Sequence, residues 1–391
     1  MKTASVLLAL LTMMPLPAAA DATAAVVRVA TYNVALAEAQ PGGLVARLEA
    51  GDAAARRIAA VIQRVRPDLL LLNEFDFDPE GRALTLWRRD YLGVGQHGEA
   101  AIDYPHAFLA PVNTGVPSGQ DLDGDGRTDG PGDAWGYGHH PGQYGMLVLS
   151  RFPIAADSVR SFREFRWAAL PGARRPFDPV AGTPFNADPL WQQLRLSSKA
   201  HWDVPVATPL GTLHFLVAHP TPPVFDGPER RNALRNFDEL RLWAEYLAVP
   251  SRSWLVDDDG HRGGLPAAAR FVLAGDLNAD PADGASLPGA VQQLLEHPRV
   301  LPHPAPRSEG ARLAGASGEA NRAQRSDRAT DTGAFGARTG NMRVDYVLPS
   351  TGFEVVASGV FWPPPDTPEA EWITASDHRL VWVDLRLRPP D

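Results

Sequence analysis

Phe271-Val272-Leu273-Ala274-Gly275-Asp276-Leu277-Asn278 is an apolar strand that exits on an acid and an amide. Two residues apart at a strand end, Asp276 and Asn278 face the same way and can address one phosphate or one water. A carboxylate there can act as base or metal ligand, and an amide can donate to an oxyanion. An Asx-rich turn is the other reading of the same four residues. The pattern recurs along the chain. VVRVATYN (26–33) ends at Asn33, LLLLNE (69–74) at Glu74 and FLVAH (215–219) at His219, while Ser376-Asp377-His378 stands just before LVWVDL (380–385). A single polar residue at a strand exit is ordinary. A set built from Asn, Glu, His and Asp is the ligand and base repertoire of metal-assisted hydrolysis.

The segments between these strands give the organisation. Asp52 to Arg66 has helical spacing (Ile58, Val61, Ile62, Val65), with Asp52 as its cap, and Pro67-Asp68 turns into the leucine strand. A strand apolar at every position belongs in a sheet covered on both faces. Residues 93–143 are rich in Gly, Asp and Pro and read as a long insert, as does 167–190. Further strands are expected at Met146–Leu149, Val344–Leu348, Val355–Phe361 and Leu380–Leu387. Trp202–Thr208 and Leu213–Ala218, joined by Pro-Leu-Gly, read as a hairpin, and Pro228–Leu247 as an amphipathic helix. Residues 302–340 are polar and read as loop. There is no internal repeat and no linker between two cores, so the picture is one α/β domain with mixed strands.

Composition narrows the function. Residues 1–20 have the Lys2 start, apolar stretch and Ala18-Ala19-Ala20 end of a secretory signal, which implies a secreted or periplasmic protein. No later stretch is long and apolar enough for a membrane span. The chain has no Cys, which excludes disulfides, zinc-thiolate sites and a thiol nucleophile. A net charge of −9 disfavours a broad electrostatic grip on nucleic acid, although cations bound at a site would offset carboxylates clustered there. Of 37 basic residues only Lys2 and Lys199 are lysines, so Lys199 is either a surface charge or a compact point charge placed on an anion.

Other residues carry chemistry. Arg343-Val344-Asp345-Tyr346 sets a carboxylate inside an apolar strand, where it needs a partner. A neighbouring Arg is one candidate, and the imidazole of His378 the other. Glu74 after four leucines suits a hard divalent cation with oxygen ligands. His219 is either a satisfied core histidine or a proton donor to a leaving oxygen.

Taken in order, TYN, LNE, VAH, GDLN, RVDYVL and SDH resemble the endonuclease/exonuclease/phosphatase superfamily over about residues 26–388. The resemblance implies a four-layer α/β sandwich: two packed mixed β-sheets flanked by helices, residues 21–391 forming one domain. It implies phosphoester cleavage with Mg²⁺ or Mn²⁺. Carried over, Asn33 and Glu74 hold metal and phosphate with Asp377 nearby, Asp276 positions or deprotonates the attacking water, and Asn278 stabilises the phosphorane oxygens. Asp345 orients His378, which contacts the phosphate or moves a proton, and His219 assists the leaving group. Tyr144 stands one place off the position at which many nuclease members carry a Tyr or Arg.

Within the insert, Asp121, Asp123, Asp125 and Asp129, with Gly126, resemble a calcium loop of the EF-hand type that lacks its acidic twelfth residue. A solvated acidic turn is the alternative. His140 and Tyr144 would meet substrate if the insert folds over the site, and Lys199 would clamp phosphate. The expectation is therefore a secreted, metal-dependent phosphoesterase whose partner is a phosphoester, with no protein partner implied. An extracellular nuclease and an inactive binding protein on the same fold are the alternatives.

Overall fold

The computed structural model describes residues 25–388, and the signal-like segment 1–20 lies outside them. One sheet has six strands in the order β10-β11-β1-β2-β4-β3 and the other five in the order β9-β8-β7-β6-β5. These are β1 (Val27–Leu36), β2 (Leu69–Phe75), β3 (His106–Leu109), β4 (Met146–Ser150), β5 (Arg160–Ser161), β6 (His201–Thr208), β7 (Gly211–Ala218), β8 (Arg270–Asp276), β9 (Asp345–Pro349), β10 (Phe353–Val360) and β11 (Val381–Leu387). The main helices are α1 (Gly43–Glu49), α2 (Ala53–Val65) and α3 (Arg231–Tyr246).

Strand periodicity builds the layers. Leu69 and Leu71 point between the sheets, packing with Val29, Val148, Trp202, Phe215, Val272 and Val347. Leu70 and Leu72 point outwards, onto Ile58, Ile62 and Trp87. On the far side of the second sheet, Leu216, Leu273 and Tyr346 pack against Phe237, Leu240 and Trp243 of α3. The result is helix, sheet, sheet, helix, and the leucine run is apolar throughout because both its faces are buried.

Each sheet contains a parallel pair, β1 with β2 and β7 with β8. The first is joined through α1 and α2 and the second through α3, and every other pairing in the two sheets is antiparallel. Residues leaving the carboxyl ends of the parallel strands therefore come together, which is where α/β sheets commonly bind ligands. The second pair is tight at this end. A Cβ on residue 275 would lie 2.0 Å from the Ala218 carbonyl oxygen, so Gly275 is required there.

Two stretches depart from the sequence reading. The insert at 93–143 contributes β3, which pairs with β4 at the sheet edge; its four residues are all half-buried and give no alternating signal. The stretch 302–340 carries the short helices Glu309–Ala314 and Glu319–Ala323, too short to show a period. Asp52 caps α2 as expected, accepting from the Ala55 amide at 2.7 Å. Because Phe215 is fully buried between the sheets, Phe215→Ala should lower unfolding free energy by about 3–5 kcal/mol, read from urea midpoints at unchanged m-value.

Candidate active site

Asp276 is the hub. Its carboxylate is buried and accepts from Asn33 Nδ2 at 3.1 Å, while the same amide nitrogen donates to Glu74 Oε1 at 3.0 Å. Asn73 Oδ1 accepts from the Asp276 amide at 3.2 Å. The two sheets are therefore stitched to each other at their polar exits. Two imidazoles flank Asp276 Oδ2, with His219 Nε2 at 3.4 Å and His378 Nε2 at 3.5 Å. His378 Nδ1 donates to Asp345 Oδ2 at 2.9 Å, so Asp345 partners the histidine rather than an arginine. Asn278 closes an Asx turn onto Asp276 Oδ1 at 3.0 Å and donates to the Pro220 carbonyl at 3.1 Å.

The backbone is strained where the chemistry sits. Glu74, Tyr144 and Asn278 have φ of 59°, 56° and 52°, a region that side chains other than Gly seldom adopt. Tyr144 is held by its amide, which donates to Asp76 at 2.9 Å.

Charge is set by burial and neighbours. Burial pushes the Glu74 and Asp276 carboxyls up, against the hydrogen bond from Asn33 and the charge of His378. Burial works against a charged His378 ring, yet Asp345 and Asp276 outweigh it and hold the ring protonated. Burial, together with the charges of Lys199 and His378, keeps His219 neutral, and its Nδ1 is buried without a partner. Lys199 is buried; desolvation lowers its pKa while Glu74, Glu239 and Asp276 favour its charge.

Some expected residues sit differently. His140 is buried with Nε2 against the Glu38 carbonyl at 3.0 Å and Nδ1 against that of Pro141 at 3.2 Å. Both ring nitrogens face carbonyls, so it braces Glu38 and lies 4.0 Å from Asp76 rather than offering a free edge to substrate. Asp377 is the most open acid of the site, its side chain 57% exposed and 4.0 Å from His378 Nε2. In the insert, the carboxylates that converge are Asp121, Asp123 and Asp133. Asp129 instead pairs with Arg127, and Asp125 accepts from the Arg127 amide. The ring of acids closes through Asp133, one place beyond the twelfth position.

Supporting groups had little sequence signal. Thr332 donates to Asp345 Oδ2 at 2.7 Å and accepts from the Val344 and Asp345 amides at 3.0 Å. Ser376 donates to the Asn33 carbonyl at 2.8 Å and accepts from the His378 amide at 3.0 Å. Only Ser376 falls inside a recognisable motif.

The sequence model of the Endonuclease/Exonuclease/phosphatase family matches residues 30–378. The chain belongs to that family. Members of the endonuclease/exonuclease/phosphatase family are metal-dependent phosphoester hydrolases. Among solved structures, the chain is similar to an endonuclease/exonuclease/phosphatase from Beutenbergia cavernae DSM 12333, at 21% identity and TM-score 0.50, covering 93% of this chain and 72% of that one. It is also similar to sphingomyelinase C from Streptomyces griseocarneus, at 17% identity and TM-score 0.45 over 92% and 99% of the two chains. A family protein from Leptotrichia buccalis C-1013-b aligns at 13% identity and TM-score 0.44 over 93% and 100%. No curated protein matches the chain. The likeness to the Beutenbergia protein shows the family fold, two mixed sheets between helices.

Asp331, next to Thr332, is fully buried, and its Oδ2 has no partner. Burial pushes its carboxyl up to about 7, against a hydrogen bond from Gln324, with Asp280 and Asp283 adding to the rise. A carboxyl whose pKa is raised on folding stabilises the fold at low pH, and this is lost as pH rises through the folded value. Asp331→Asn should therefore gain on the order of 2–4 kcal/mol over wild type at about pH 8 and little at about pH 4. Thermal unfolding at the two pH values checks this, and an equal shift at both would remove the assignment.

Proposed function

We propose that this chain is a secreted phosphoesterase that hydrolyses its substrate by in-line attack of water, with Mg²⁺ or Mn²⁺ held by Glu74 and Asn33 beside Asp377. One observation carries the reading: a buried carboxylate, Asp276, linked to Glu74 through one amide and flanked by one neutral and one protonated imidazole. The residues fit a cation. Glu74 and Asp276 are both desolvated carboxylates pushed towards protonation, and a hard divalent ion with oxygen ligands favours their charged form. Such an ion supplies charge against the phosphoryl oxygens and a more acidic water.

The chain's own groups divide the rest. Asp276 orients the attacking water and takes its proton. Asn278 donates to the equatorial oxygens, and the buried Lys199, whose charge Glu74 and Asp276 favour, adds its ammonium on the same side. His378, kept protonated and aligned by Asp345, faces the phosphate. His219, neutral, lies opposite and relays a proton to the leaving oxygen. An inactive binding protein would have no reason to keep this constellation buried and connected. The charge of −9 and the absence of a basic tract favour a small phosphoester over nucleic acid.

The experiment is hydrolysis of bis(p-nitrophenyl) phosphate and p-nitrophenyl phosphate with Mg²⁺ or Mn²⁺. Turnover should stop with chelator and return with metal. Asp276→Asn and His378→Ala should each lower kcat at least about 100-fold while the protein stays folded. Full activity in excess chelator would refute the metal-dependent reading.

We also assign a structural Ca²⁺ to Asp121, Asp123 and Asp133, whose oxygens lie within 4.8 Å of one another on the insert. Ca²⁺ should then raise the melting temperature, and the double variant Asp121→Ala with Asp123→Ala should lose that rise. An unchanged rise in the double variant would remove this site.

A further inference from the structure

Three polar side chains of α3, Arg235, Asn236 and Glu239, hydrogen-bond to backbone atoms of the loops that carry and flank the site. Arg235 donates through Nε to the Leu196 carbonyl at 2.9 Å and through Nη2 to those of Trp135, Arg195 and Ser197 at 2.6, 3.0 and 3.2 Å. Asn236 Nδ2 donates to the carbonyls of Thr221 at 2.8 Å and Leu277 at 3.0 Å. Glu239 accepts from the amides of Ser198 and Thr221, each at 2.7 Å, one on each carboxylate oxygen. Asn236 and Glu239 are fully buried.

Their partners are not scattered. Ser198 precedes Lys199, Thr221 lies two residues beyond His219, Leu277 sits between Asp276 and Asn278, and Trp135 belongs to the insert. Ser198 Oγ also donates to the His219 carbonyl at 3.2 Å, and Asn278 to that of Pro220. A carboxylate as deeply buried as Glu239 is costly unless its acceptors are filled. Here each oxygen is filled by an N–H from a different loop, so Glu239 is satisfied only when both loops are in register.

We propose that Glu239 and Asn236 are the positioning residues of the active site: Glu239 sets Lys199 against His219, and Asn236 sets His219 against the Asp276–Asn278 turn. This rests on the phosphoesterase reading for its catalytic consequence, though not for its geometry. A displacement of about 1 Å in such a site can cost about 100-fold in rate, so the loss should fall on kcat. Glu239→Gln replaces one acceptor by an NH₂ that faces an N–H. Asn236→Ala removes the donors to Thr221 and Leu277 and leaves the Ser198 contact untouched.

The test uses the full mature chain, metal-loaded. Both variants should lower kcat for bis(p-nitrophenyl) phosphate at least about tenfold with KM within about threefold, assayed well below each melting temperature. A second readout exploits Lys199 as the only lysine after residue 2. Acetylation of Lys199 by an amine-directed reagent, followed by mass spectrometry, should speed up in Glu239→Gln and stay at the wild-type rate in Asn236→Ala. A merely structural role would lower stability and leave both kcat and this asymmetry unmoved. Wild-type kcat in folded Asn236→Ala overturns the proposal, as do wild-type kcat and acetylation rate in folded Glu239→Gln. If Glu239→Gln does not fold, Asn236→Ala decides. If wild type hydrolyses no phosphoester, the functional reading falls and the acetylation comparison alone decides the positioning.

Discussion

The carboxylate of Asp276 belongs to one sheet and is hydrogen-bonded by the other, and much of the site depends on that crossing. Face-to-face sheets are usually joined by apolar side chains alone. Here the apolar seam of Leu71, Val148, Phe215 and Val272 ends in a polar one, with Asn33 and Asn73 meeting Asp276. Buried polar groups cost free energy unless paired. The seam therefore stabilises only one register of sheet on sheet, the one that closes Asn33, Glu74 and Asp276 together. Packing supplies most of the energy, while the polar exits specify the alignment.

That alignment also sorts the two histidines. Both lie about the same distance from Asp276 Oδ2, yet His378 is held protonated and His219 neutral. The difference is the second carboxylate. Asp345 faces His378 Nδ1, whereas the equivalent atom of His219 meets no polar group. One carboxylate between a fixed acid and a neutral ring gives the site two proton-handling groups of opposite state, the separation acid–base chemistry needs.

The longer strands were legible because their apolar runs are buried on one or both faces, and the residues at their exits were legible because they interrupt an apolar run. Glu74 after four leucines and Asp345 within RVDYVL announce themselves by cost. Glu239, Asn236 and Thr332 do not. Glu239 and Asn236 read as ordinary polar residues of an amphipathic helix, and their partners are backbone atoms of segments far away in sequence, which leave no spacing pattern. Thr332 lies in the polar stretch 302–340, where nothing marks it as the partner of Asp345. The short strand His106–Leu109 was hidden for a related reason, since half-burial on both faces erases the period of two. Asp133 shows the limit of motif reasoning: loop closure, rather than register, brings it to Asp121 and Asp123.

Charge explains why cation and substrate should bind as a pair on the proposed reading. The site gathers Glu74, Asp276, Asp345 and Asp377 against Lys199 and the His378 ring. With the carboxylates ionised, that balance is negative, and a phosphoester entering it meets net repulsion at low dielectric. A divalent ion offsets that negative charge, so it raises affinity for phosphate. By linkage the phosphate must raise affinity for the ion by the same factor. The chain's overall acidity then costs the enzyme little, because the attraction that matters is generated inside the site. The insert is tied to α3 through the Trp135 carbonyl and the Arg235 guanidinium, so the helix that holds the site loops also holds the insert.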